Sequence, residues 1–166
     1  MISKKMTTAL NEQINAELYS AYLYLSMSSW ASYQGLSGVA TWLFMQAREE
    51  TEHAQKIYQY VNSVGERVAL KAIAKPPAQF KSVTDVFEEV LAHEKKVTAL
   101  INALADQAKK EKDHATEIFL QWFVTEQIEE EEHAGDILAK LKLVGEKGQA
   151  LFMMDARLGA RGADGD

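Results

Sequence analysis

The chain has no cysteine, so it builds neither a disulfide framework nor a thiolate metal site, and any metal it holds must rest on oxygen and imidazole ligands. Proline is nearly as scarce. The two prolines present, Pro76 and Pro77, are adjacent, which leaves long stretches on either side free of helix breakers. Positive charge is also in deficit: 18 Lys and Arg against 24 Asp and Glu give a formal net charge of -6. The basic residues are scattered among acids, so nucleic acid is not expected as a partner and cations are. No apolar run reaches membrane-spanning length without a charge. The opening MISKKMTTALNEQINAELYS interrupts its apolar positions with Asn11, Glu12, Gln13 and Asn15, which leaves no secretory hydrophobic segment. The expectation is a cytoplasmic protein with no membrane partner.

What is present is enough apolar material for one sizeable core, 47% of 166 residues. Turn signals divide it into four long helical segments, which predicts an all-α four-helix bundle. The first runs from Ser3, an N-cap residue, to Gln34 and ends at Gly35 and Gly38; the second reaches Gly65. Residues 66–81 lose helical periodicity and contain both prolines, so they read as a long crossover between helices 2 and 3, which makes those two helices parallel. Ser82 and Asp85 in capping-box spacing open the third helix, which runs to about Lys110, and Asp113 caps a fourth that stops near Gly145. Residues 149–158 are expected to form a short fifth C-terminal helix. The domain is then residues 1–158, and residues 159–166, GARGADGD, are expected to be a disordered tail.

The first helix has more apolar surface than one core face needs. Leu10, Ile14, Leu18, Ala21 and Leu25 form the expected inward stripe, and Tyr19, Tyr22, Leu23 and Trp30 lie off it. A helix apolar on more than one side is covered on more than one side, and the simplest cover is another subunit. This predicts a homo-oligomer whose interface uses that helix.

The chemistry lies in a repeated interval. Glu17 is followed 33 residues later by Glu50 and then His53, and Glu94 is followed 33 residues later by Gln127 and then Glu130. Side chains three or four residues apart share a helix face, so Glu50 aligns with His53, and Gln127 with Glu130. Glu17 aligns with Tyr24 on the same principle. Glu17 is flanked by Ile14, Leu18 and Ala21, and the Glu50–His53 face continues Leu43 and Ala47 toward Ile57, so these groups point inward. Buried carboxylates without partners cost several kcal/mol each. The four charges of Glu17, Glu50, Glu94 and Glu130 are balanced by two divalent cations, which favours a dinuclear metal site of the kind built inside ferritin-like bundles. Within the acidic run, Glu131 and Glu132 read as solvated, and His133 as a surface residue or a neighbour of the site. His93 and His114 read as ordinary surface residues.

With these motifs in place the chain resembles the bacterial non-haem ferritins along nearly its whole length. The resemblance is carried by NAELYSAYLYL around Glu17, REETEH around Glu50 and His53, HEK around Glu94 and WFVTEQIEEEEH around Gln127 and Glu130. It implies that Glu17, Glu50 and His53 hold one iron and Glu50, Glu94 and Glu130 a second, with Glu50 bridging and Gln127 beside the pair. It also implies a third iron site from Glu49, Glu126, Glu129 and Glu130, a catalytic tyrosine at Tyr24 and a nearby aromatic at Trp122. The implied activity is ferroxidase: Fe(II) is oxidised by dioxygen or peroxide and ferric mineral is stored in a hollow shell of 24 subunits. Haem is not expected, because Thr51 stands where bacterioferritins have a haem-ligating Met and Gln127 and Glu130 replace their second Glu-x-x-His. Another di-metal oxidase or peroxidase on the same bundle remains an alternative, since spacing does not name the metal.

Overall fold

A computed structural model describes residues 2–145 and 147–160 of the chain. Four long helices, α1 (Lys4–Tyr33), α2 (Ser37–Ser63), α3 (Val83–Glu111) and α4 (His114–Val144), are followed by the short α5 (Gly148–Ala160), and no strand occurs among the described residues. The 30 residues of α1 make a rod roughly 45 Å long at 1.5 Å per residue. Its end carries the expected glycine: Gly35 sits at φ 79°, a conformation open to glycine at little cost.

The expected caps form. Ser3 Oγ accepts from Met6 N at 3.0 Å, Ser82 Oγ from Asp85 N at 3.1 Å, and Asp113 Oδ1 from Thr116 N at 3.2 Å. Each satisfies one of the backbone donors a helix start leaves open. The start of α2 is different, because Leu36 offers no side-chain cap. There Asp155, on α5, accepts from Val39 N at 2.8 Å. The close approach of the two helices explains Gly38, which lies inside α2 and does not end α1 as expected. A Cβ at Gly38 would overlap the Asp155 carbonyl oxygen and lie 2.9 Å from Gly159 N. Gly159 and Ala160 belong to α5 and so are not part of a tail; the rest of that expected segment, residues 161–166, lies outside the described residues.

The helix directions follow from contacts at the two ends. Ser3, before α1, donates to Glu111 at the end of α3 at 2.6 Å, and Trp30, near the end of α1, meets Phe80, before α3, with ring centroids 5.7 Å apart. The helix α1 is therefore antiparallel to α3 as well as to α2, and α2 and α3 are parallel, as the crossover requires. Residues 64–82 form that crossover and are strapped along α1. Asn11 Oδ1 accepts from Ala69 N at 3.2 Å, Asn15 Nδ2 donates to Ala72 O at 3.2 Å, and Ser26 Oγ donates to Pro77 O at 2.6 Å.

This strap corrects the reading of α1. Leu25, expected inward, is 41% exposed, whereas Leu23 and Trp30, expected off the core stripe, are buried. Part of the apolar surplus is covered by the chain's own crossover through Phe80. Tyr22 and Leu25 on α1 remain exposed, as do Phe44 and Tyr58 on α2.

The core is divided. One apolar cluster contains Leu23, Met27, Trp42, Phe87 and Leu138; the other contains Met6, Leu10, Ile57, Ile101 and Phe123. Between them the bundle buries a polar waist of Glu17, Glu50, His53, Glu94, Gln127 and Glu130.

Candidate metal centre

The waist residues come from the middle of all four long helices, where the bundle is least able to let water in. Glu17 and Glu50 are each 1% exposed, and Glu94 is 0% exposed. Ligand atoms of Glu17, Glu50 and His53 lie within 4.8 Å of one another, and so do those of His53, Glu126 and Glu130. His53 belongs to both groups, so an inner and an outer set of ligands share it. His53 Nδ1 lies 3.7 Å from Glu50 Oε2.

The carboxylates differ in how their oxygens are satisfied. Glu17 Oε1 accepts from Gln13 Nε2 at 2.8 Å, but among the described residues no amide, hydroxyl or imidazole donates to Glu17 Oε2 or to either oxygen of Glu50. Glu94 accepts from the Tyr24 hydroxyl on one oxygen and from Gln127 Nε2 on the other at 3.1 Å. Glu130 Oε2 accepts from Gln46 Nε2 at 2.8 Å. Buried acceptors without donors are rare in folded proteins, and each calls for an ion or a proton.

Proton affinities follow. Burial pushes the Glu50 carboxyl well above its ordinary value of 4.5, and the charges of Glu17, Glu94 and Glu130 push it further. Burial also raises Glu17, which the Gln13 hydrogen bond and a hydrogen bond shared with the Glu50 carboxyl partly offset, and raises Glu94, which the Tyr24 and Gln127 bonds partly offset. Tyr24 is held well above its ordinary 10.0 by burial and then by Glu94. It therefore stays a neutral phenol that donates to Glu94.

The sequence reading places Glu17, Glu50, His53, Glu94, Gln127 and Glu130 around one waist, and the structure brings them there. The set implied for a third site is only partly assembled. Glu126 joins Glu130, but with His53; Glu49 is half-buried and lines a cavity of about 420 Å3 beside His53, and Glu129 is exposed. Two readings change. His93 is not a surface residue: it is half-buried with Nε2 2.7 Å from Ser20 Oγ, and burial lowers its pKa to about 4. Glu131 is half-buried and accepts from Thr98 Oγ1 at 2.6 Å, while Glu132, His114 and His133 are exposed.

Gln13, which reads in the sequence only as a polar interruption, and Gln46 are both buried, and each donates to a waist carboxylate. A signal was available. Each stands four residues before a waist Glu, Gln13 before Glu17 and Gln46 before Glu50, so the glutamines repeat the interval of the acids.

A four-helix bundle with one carboxylate on each of two helices and paired ligands on the other two defines the class of di-metal carboxylate proteins. Comparison with known proteins narrows the class. The Ferritin family profile, a ferritin-like domain, matches residues 7–144, and the chain belongs to that family. It is 45% identical over 155 residues to the bacterial non-heme ferritin of Campylobacter jejuni, with 93% of each chain covered. It is 39% identical to that of Escherichia coli O157:H7 over 158 residues, covering 95% of this chain and 96% of the other. Among solved structures, an open pore ferritin from Archaeoglobus fulgidus superposes with a TM-score of 0.95 at 49% identity, covering 96% of this chain and 98% of that one.

Proposed function

We propose that this chain is an iron-storage ferroxidase. Its substrate is Fe(II), two ions of which enter the waist, deliver one electron each to dioxygen or peroxide and leave as Fe(III). The observation that carries the reading is the set of three buried carboxylate oxygens that receive no amide, hydroxyl or imidazole donor among the described residues, Glu17 Oε2 and both Glu50 oxygens. Hard anionic oxygens with one imidazole suit Fe(II) and leave positions open for an oxidant. In this reading Glu17, Glu50 and His53 hold one ion, Glu50, Glu94 and Glu130 hold the other, and Glu50 bridges. Iron binding is then coupled to loss of the protons that burial retains on the carboxyls.

Tyr24 and Gln127 are the positioning pair of the site. Between them they fix both oxygens of Glu94, so that its carboxylate is oriented before metal arrives. Glu126 and Glu130, joined by Glu49 and Glu129, form a third position at the outer side. Family membership and the likeness to known ferritins support storage in a homo-oligomeric shell, for which 24 subunits is the proposed count. The exposed Tyr22, Leu25, Phe44 and Tyr58 supply an apolar surface for such assembly. The chain is proposed to work in the cytoplasm as one domain; among the described residues no helix is long and apolar enough to cross a membrane.

The test is an anaerobic Fe(II) titration followed by oxygen, with solution mass measured by light scattering. The expected result is oxidation within seconds and soluble iron far above two per chain, in a particle whose mass matches the proposed shell. Turnover that stops at two irons per chain would favour a different di-metal oxidase. Absence of metal binding would reject the site.

A further inference from the structure

The cavity of about 420 Å3 that opens beside His53 is acid-lined, by Glu49, Glu52 and Glu126, yet it also contains a lysine. Lys56 Nζ lies 3.6 Å from the centroid of the Trp122 ring, and that ring meets His53 edge-on at 5.3 Å between centroids. An ammonium over an indole face is held there by the ring quadrupole. Lys56 follows His53 by three residues on α2, on the same helix face, and lines the same cavity as His53, Trp122 and Glu126.

We propose that Lys56 is a specificity-determining residue of the outer position, a built-in counter-cation that a divalent ion at His53, Glu126 and Glu130 must work against. The proposal rests on the di-metal reading of the waist. Glu17 and Glu50 of the inner group are buried and do not line the cavity that holds Lys56. The outer group shares its negative field with a fixed positive charge, and a divalent ion there feels twice the repulsion that a monovalent one would. The arrangement keeps the outer position weak, so ions pass through it instead of remaining. It also gives Trp122 a role: the indole seats the ammonium close to His53 while its edge orients the ring.

Zinc is the probe, because it is not oxidised and binds the same oxygen and nitrogen ligands. Isothermal titrations would compare the assembled parent with Lys56→Met, which keeps the stem and removes the charge, and Lys56→Arg, which keeps the charge. The expected result is that Lys56→Met tightens the weaker class of zinc by about three- to tenfold and leaves the tighter class unchanged, with Lys56→Arg close to the parent. Adding Glu126→Ala to Lys56→Met should abolish the gain. Unchanged weak binding in Lys56→Met, with the tight class intact, would overturn the role of Lys56 alone. A gain that survives Glu126→Ala would do the same. A parent that binds no zinc in either class would overturn the metal centre and this proposal together.

Discussion

The pair α1 and α2 and the pair α3 and α4 carry the same ligand interval but hold their carboxylates in opposite states. Among the described residues, three oxygens of Glu17 and Glu50 receive no amide, hydroxyl or imidazole donor. Glu94 is bonded on both oxygens, and Glu130 accepts from Gln46. The first pair is a site waiting for charge, and the second is a site already oriented. Burial alone does not produce the difference, since all four groups are buried. It comes from the donors that face them: among the described residues Tyr24 and Gln127 both serve Glu94, whereas Gln13 serves Glu17 and no amide, hydroxyl or imidazole donor serves Glu50. A carboxylate that must bridge two cations gains from having both oxygens uncommitted, because each hydrogen bond would have to be given up on binding.

The comparison breaks most visibly at Glu50. In the proposed centre Glu50 is the bridging ligand, so for Glu50→Ala the initial rate of Fe(II) oxidation in stopped flow should fall by at least about 100-fold, at or beyond the loss seen when supporting partners of a metal ligand are removed. Gln127→Ala acts on the other half through orientation. It leaves Glu94 Oε2 without its 3.1 Å donor, and the expected loss is about tenfold, recovered in part by Gln127→Asn. A Gln127→Ala rate as low as that of Glu50→Ala would mean that Gln127 binds metal directly.

Metal-free stability sharpens the same contrast. Glu50→Gln replaces a buried acid by a neutral amide and should stabilise the metal-free protein by about 1 to 3 kcal/mol near pH 8. Glu94→Gln should gain less, because its amide presents a second donor to Tyr24 or Gln127. The pH dependence has a definite sign. Glu17, Glu50 and Glu94 all have folded pKa values above their ordinary 4.5, so the folded state holds protons that the unfolded chain releases. Their contribution is most favourable at pH values below about 4.5 and is lost as pH rises through the raised values. Urea midpoints of metal-free protein at pH 5 and pH 8 should therefore differ more for the parent than for Glu50→Gln. Saturating zinc should cancel the difference, because the metal replaces the protons.

Much of this was readable in the letters, for identifiable reasons. Ser3, Ser82 and Asp113 act through bonds to residues three positions away, and Gly35 through its own φ, so local sequence sufficed. The burial of the waist residues was readable because helical spacing and a repeated interval both constrain them. What was not readable depends on partners distant in sequence. Trp30 is buried against Phe80, Gly38 is required by Asp155 and Gly159, and His93 is half-buried beside Ser20. In each case the covering residue lies on another element, and a helical pattern cannot say which element will arrive. Leu25 shows the converse, an apolar residue at stripe spacing that stays 41% exposed.

The smallest expected effect separates the outer position from the waist. Glu129 is exposed and belongs to neither ligand group, so Glu129→Ala should leave the initial oxidation rate within roughly twofold of the parent, the usual range for a surface substitution. If it nevertheless completes the third position when iron is present, its removal changes how many Fe(II) ions share each reduced dioxygen. The oxygen-to-iron ratio from an oxygen electrode should then shift while the rate does not. A large fall in rate would instead place Glu129 with Glu50 among the groups that the first oxidation requires, and the division between a waiting inner site and a passing outer one would no longer hold.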